Sequence, residues 1–144
     1  MANVIRLRNG LDISLKGKAE EVLFTVENPE LYALVPDDFH GVTPKVIVKP
    51  EEEVKVGTPL FYDKKNPEVK FVSPVSGVVT AVERGARRKV LNVTVRPSKE
   101  QEFIDFGKKD VDKLSKEEVK SIMLETGLFG FVKERPYDVV ANPN

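Results

Sequence analysis

At 144 residues, with 40% hydrophobic and 32% charged side chains, the chain has the size and composition of one soluble globular domain. Its 23 basic residues balance 23 acidic ones, which argues against nucleic-acid binding driven by bulk charge. The absence of cysteine excludes disulfides, thiolate catalysis, zinc–thiolate sites and cysteine-held iron–sulfur clusters on this chain.

No apolar run approaches the roughly 18 residues of a membrane span. The opening residues, MANVIRLRNG, lack the apolar core of a secretion signal, so cytoplasmic residence is the expectation. Alternation in VIRLRNGLDISL around Asn9-Gly10 predicts a β-hairpin. EVLFTV (21–26) is rich in strand formers, and LYALV (31–35) follows Asn28-Pro29 as the next strand. His40, the only histidine, stands in the loop DDFHGVTP and reads as a solvated side chain. Asp37 and Asp38 could join it as oxygen ligands, but such a trio is commonplace in loops, and no metal is expected.

KVIVK (45–49), PLFYD (59–63), VKFV (69–72), GVVTAVE (77–83) and KVLNVTV (89–95) continue the series of short strands. Proline is poorly tolerated inside a sheet, so Pro44, Pro50, Pro59, Pro74 and Pro97 mark strand edges or turns. Eight or so strands at this spacing predict a barrel or sandwich. VIVKPEEEVKVG (46–57) and VTAVERGARRKV (79–90) share a strand, a charged turn and a return to valine, a faint internal duplication.

After Pro97 the pattern becomes helical. In LSKEEVKSIMLETG (114–127) Ser115 is an N-cap and Glu118, three residues on, completes a capping box. Leu114 and Val119 sit where a hydrophobic staple would form, Val119, Ile122 and Met123 share one face, and Gly127 supplies the stop. Leu128, Phe129, Phe131 and Val132 then carry too much apolar surface for a free tail and should pack. VVANPN at the end shows no cap and no partner element, and reads as a linker into sequence absent here.

No dinucleotide or nucleotide loop and no nucleophile elbow is present, and one loop histidine is a poor base for any serine. The carboxylate runs Asp37-Asp38 and Glu51 to Glu53 lie in charged turns and read as solvated. SGVVT (76–80) is a poor match to a flavin-esterification signal at Thr80. No catalytic residue is assigned. Two surface clusters remain. ERGARRK sets Arg84, Arg87, Arg88 and Lys89 around Gly85, either as a solvated turn or as a docking surface for an acidic partner or a phosphate group. DKKNP sets Asp63, Lys64, Lys65, Asn66 and Pro67 in a turn, where a lysine could carry lipoate or biotin.

TPKVIVKPEEEVKVGTPLFYDKKNPEVKFVSPVSGVVTAVERGARRKVLNVTV resembles the N-terminal region of the A subunit of the Na+-translocating NADH:quinone oxidoreductase (Na+-NQR). The matching motifs are Val54 to Gly57, Leu60-Phe61, Asp63 to Pro67, Ser73 to Gly77, and Arg84-Gly85 with Arg87-Arg88; NGLDISLKGK and TGLFGFVKERPY resemble the flanking motifs. Glu68 departs from the family, where glycine is common. The resemblance implies a mainly β barrel-sandwich hybrid, biotinyl- or lipoyl-like, with additional N-terminal strands and one C-terminal helix. Residues 1–110 would form the hybrid, 111–135 a helix and apolar segment packing on it, and 136–144 the linker.

The resemblance further implies a non-catalytic domain of a cytoplasmic subunit, peripheral to the inner membrane through its complex. Its partners would be the other subunits and the remainder of its own polypeptide. The domain would serve assembly or contact with other subunits and quinone access. No cofactor is expected on this chain itself; the resemblance implies that flavins and the iron–sulfur cluster lie on other subunits and that quinone is a ligand of the full subunit. Asp63, Lys64, Lys65, Asn66, Pro67, Arg84, Arg87 and Arg88 are the candidate interaction residues. The alternative is a carrier domain acylated at Lys64 or Lys65. Against it, 14 residues run from Asp63 to Gly77 and Asn66-Pro67 lies inside the turn, so the hairpin is longer and shaped differently from a lipoyl one.

Overall fold

The structure, a computed structural model, describes residues 16–25 and 27–144. Its strands are β1 (Tyr32–Leu34), β2 (Pro44–Val46), β3 (Glu53–Val54), β4 (Pro59–Asp63), β5 (Lys70–Val72), β6 (Gly77–Arg84) and β7 (Val90–Pro97), followed by helix α1 (Lys116–Glu125) and strands β8 (Lys133–Glu134) and β9 (Val139–Val140). They form an antiparallel four-stranded sheet in the order β1-β7-β6-β3, a three-stranded sheet β2-β4-β5, and the hairpin β8-β9. The prolines fall as the physics requires: Pro44 and Pro59 begin strands, Pro97 ends one, and Pro50 and Pro74 lie in turns.

One apolar cluster joins the inner faces of the two larger sheets. Leu60, Phe61 and Phe71 come from one, and Val79, Val93 and Val95 from the other, each nearly inaccessible to solvent. Burial of each such side chain contributes about 1.5–3 kcal/mol. Strict alternation would expose either Leu60 or Phe61. A register shift between Pro59 and Phe61 against β5 turns both inward. Phe71 is the hub: it stacks on Phe61 with ring centres 4.8 Å apart and meets Phe39 at 4.4 Å. Phe71→Ala would cost about 3–5 kcal/mol through transfer and cavity terms.

The Ser73-Pro74-Val75-Ser76-Gly77 turn between the sheets is built from buried polar groups. Ser73 Oγ donates to the Val75 carbonyl at 2.6 Å. Gly77 is required by close approach, because a Cβ there would stand 1.9 Å from the Arg96 carbonyl oxygen.

The C-terminal helix has both predicted ends. Ser115 Oγ accepts from the Glu118 N–H, the Glu118 carboxylate accepts from the Ser115 N–H, and Gly127 turns left-handed with φ of 78°. Its apolar face is only half buried, against the segment Leu128–Phe131, of which Phe129 enters the core.

Three expectations need correction. Residues 21–25 form no strand: Val22 and Phe24 are exposed and Leu23 fully so. Strand-forming composition makes no strand without a partner, and among the described residues none pairs with this stretch. The two stretches read as a duplication fold differently, since β2 and β3 lie in separate sheets whereas β6 and β7 are hairpin neighbours. The final residues do have a partner: Val139-Val140 pairs with Lys133-Glu134, and the Val140 N–H donates to the His40 carbonyl at 2.9 Å. The hairpin predicted at Asn9-Gly10 and the end of the 21–26 segment, Val26, lie outside the described residues.

Candidate functional site

Asp63 closes β4 and is buried beneath its own turn. Its carboxylate accepts from the Thr43 N–H at 2.9 Å, the Lys65 N–H at 3.3 Å and Asn66 Nδ2 at 3.4 Å. The turn closes with the Val69 N–H donating to the Asn66 carbonyl and the Asp63 N–H to the Val69 carbonyl. Asp63 and Asn66 therefore build the turn, while Lys64, Lys65 and Pro67 are exposed on it.

The two lysines diverge. Lys65 Nζ reaches back to the Gly41 carbonyl at 3.5 Å, on the side where β9 packs. Lys64 instead lines a cleft of about 300 Å³ shared with the β6–β7 turn. From that second turn come Arg84, Arg87, Arg88 and Lys89, so the fold unites two clusters that are 20 or more positions apart in sequence. Val42, Pro44 and Val90 add apolar wall, and Asp37, the one carboxylate lining it among the described residues, pairs with Lys89 Nζ. Asp37 and the apolar wall were not legible beforehand, because elements distant in sequence bring them together.

A second cleft, of about 480 Å³, was missed altogether. Phe39 and Phe71 form its base, Val56 and Gly57 one side, and Phe103, Ile104, Phe106, Leu128 and Phe131 its rim. Phe103, Leu128 and Phe131 are more than half exposed. The signal was QEFIDFGKK (101–109), three large apolar residues in an otherwise polar stretch without a helical or strand period. This segment makes only an isolated parallel bridge, Val56 to Phe103, with the Val56 N–H donating to the Glu102 carbonyl and the Ile104 N–H to the Val56 carbonyl. Lys55 and Glu102 pair at 2.8 Å across the join. That hydrogen bond, reinforced by the opposite charge, raises the Lys55 ammonium and lowers the Glu102 carboxyl from their ordinary values.

The polar groups of this cleft are already engaged. Ser73 Oγ bonds to Val75, and Thr126 Oγ1 donates to the Ile122 carbonyl at 2.8 Å. The cleft therefore offers apolar and aromatic contact with few directional hydrogen bonds. Among the described residues no three His, Cys, Asp or Glu side chains cluster as metal ligands, and no helix is long and apolar enough to cross a membrane.

Comparison with known proteins agrees with this architecture. The family described as the NqrA N-terminal barrel-sandwich hybrid domain matches residues 5–98. Relatives named as the A subunit of Na(+)-translocating NADH-quinone reductase include one from Pseudomonas aeruginosa (strain PAO1), 33% identical over 143 residues, covering 97% of this chain and 32% of the relative. Another from Histophilus somni (strain 2336) is 32% identical over 139 residues, covering 95% of this chain and 31% of the relative. A third, from Haemophilus influenzae (strain PittEE), has the same identity and coverage. The chain thus spans about a third of the length of these curated relatives. The two sheets packed on one core and the profile matching about two thirds of the sequence lead to one assignment: the chain belongs to the NqrA N-terminal barrel-sandwich hybrid domain family.

Proposed function

We propose that this chain is a non-catalytic contact domain of the NqrA subunit in a sodium-translocating NADH:quinone oxidoreductase, and that its apolar cleft admits quinone. The observation that carries the reading is the cleft of about 480 Å³ rimmed by Phe103, Phe106 and Phe131. Its volume is within the range of small-molecule sites, about 300–1,000 Å³. Aromatic rings offer flat faces to a quinone head, and the aliphatic walls suit a prenyl tail. With its hydroxyls used internally, the cleft suits passage or loose seating of an apolar ligand better than a rigid polar clamp.

The domain would lie on the cytoplasmic side, peripheral to the inner membrane through the complex. Its partners are the remainder of its own polypeptide and the other subunits, which carry the flavins and the iron–sulfur cluster. The lack of any cysteine supports that division of labour. Acylation of Lys64 or Lys65 has less support, since one lysine enters a cationic cleft and the other folds back toward Gly41.

Titration of the chain with a short-tailed ubiquinone analogue, followed by chemical-shift mapping, tests the ligand. Saturable shifts at Phe103, Ile104 and Phe106 that vanish in Phe103→Ala/Phe106→Ala are expected. Absence of saturable shifts in the parent chain refutes quinone entry.

A further inference from the structure

We propose that the cleft between the β4–β5 and β6–β7 turns is a docking site for an acidic peptide segment of a partner polypeptide, on a surface separate from the quinone cleft. Lys64 enters it from one hairpin, and Arg84, Arg87 and Arg88 from the other. No ion pair among the described residues involves any of these four. Like charges gathered on facing walls repel one another, and an arriving anion relieves that repulsion.

The backbone carries a second, independent mark. Arg87 and Arg88 have φ of 54° and 60°, a region that residues with a Cβ avoid. Consecutive left-handed residues between antiparallel strands normally call for Asn-Gly or Gly-Gly. Here the chain holds two arginines in that conformation. The turn is pinned by the Gly85 N–H donating to the Lys89 carbonyl at 2.8 Å and the Lys89 N–H to the Ala86 carbonyl at 3.1 Å. Residues held in sparsely populated conformations recur at ligand clamps, where the surrounding structure fixes a presentation of side chains.

The chemistry of the cleft favours carboxylates on a peptide. Asp37 already seats one carboxylate there against Lys89. The cations are spread over two turns rather than wrapped around one point, which suits several separated charges. Val42 and Val90 supply apolar wall for the side chains between those charges. Guanidinium forks take carboxylates bidentately, and charge steering of this kind acts most strongly at low salt.

Only the identity of the partner, another part of the redox complex, rests on the contact reading above; the binding can be tested on the chain itself. The probe is a fluorescein-labelled decapeptide of aspartate and glutamate with two leucines, alongside its amidated Asn/Gln counterpart. Saturable anisotropy is expected for the acidic peptide only, weakening at least tenfold when salt is raised from 50 to 300 mM. Arg87→Asn/Arg88→Gly relieves the backbone and removes two charges, so it should melt a few degrees higher yet bind at least tenfold more weakly. Equal affinity of this variant, equal binding of the amidated peptide, or saturable binding of inorganic pyrophosphate or phosphatidylglycerol vesicles without peptide binding would each overturn the proposal. The quinone titration is unaffected by these substitutions, so either reading can fail alone.

Discussion

Ser76 Oγ accepts a hydrogen bond from the Glu102 N–H at 2.9 Å, while the Ser76 N–H donates to Gln101 Oε1 at 2.8 Å. One buried serine of the inter-sheet turn therefore fastens the segment that walls the apolar cleft. Ser76→Ala leaves the Glu102 N–H without its partner and should cost about 1–2 kcal/mol. Denaturant unfolding measures that loss, and amide exchange at Glu102 and Ile104 should quicken more than exchange in β6 or β7. Unchanged exchange at those two amides would show that the wall is held by something else.

The neighbouring residue makes a sharper case. Gly77→Ala places a Cβ 1.9 Å from the Arg96 carbonyl oxygen and 2.9 Å from its carbon. Both atoms are backbone, so no side chain can swing aside, and β6 must separate from β7 where they pair. A loss of about 3 kcal/mol is expected, in the upper range for overpacking. A thermal melt of the variant checks it, and a melting temperature within a degree of the parent would contradict the geometry.

What could be read beforehand follows the range of the interactions concerned. Ser115 and Glu118 announce their helix because a capping box needs only residues three apart. Strands β4 to β7 announce themselves because each is rich in strand formers and is bounded by proline, glycine or a charged turn. Residues 21–25 mislead, since their strand propensity is genuine and no strand among the described residues takes it up. Arg84, Arg87 and Arg88 could be singled out as a cluster. That Lys64 and Asp37 share their cleft depends on how hairpins from two different sheets are placed. Asp63 had the look of a surface residue, yet it is buried, because a turn that offers N–H groups to a carboxylate is invisible as a pattern. The apolar cleft depends on residues 102–106, which have no period to detect and are held by Ser76, Val56 and Lys55.

Acid should weaken the C-terminal helix cap and the β8–β9 hairpin. The N–H of Ser115, and then its hydroxyl, hold the Glu118 carboxyl below its ordinary value. The hydrogen bond from Lys133, aided by its charge and those of Arg135 and His40, does the same for Asp138. Groups lowered on folding stabilise the native state fully above the ordinary carboxylate range, and that contribution fades as pH falls through the lowered values. Glu118 is exposed and Asp138 half-buried, and solvent screening keeps the effect small. The difference in melting temperature between the parent and Glu118→Gln should be constant above about pH 5 and shrink steadily below about pH 4. A difference that stays constant to pH 2 would show that the carboxylate form of Glu118 adds nothing to the cap.

The β4–β5 turn should resist acylation. A lipoate or biotin ligase needs a lysine held out at a hairpin tip of fixed shape, and here the turn is set by Asp63 beneath it. The Lys64 N–H is tied to the Thr43 carbonyl at 2.8 Å, its side chain enters the cationic cleft, and the Lys65 ammonium leans toward Gly41. Asn66 and Pro67 prolong the turn beyond the lysines, so neither sits at its apex. Co-expression with either ligase and its cofactor should therefore give the unmodified intact mass. An added lipoyl or biotinyl mass that disappears in Lys64→Arg or Lys65→Arg would make this domain a carrier. Asp63→Ala offers the complementary check: removing a buried acceptor of two backbone N–H groups should cost about 2–3 kcal/mol, whereas Lys64→Ala should stay within about 0.5 kcal/mol. Equal losses at both positions would mean that Lys64, and not Asp63, organises the turn.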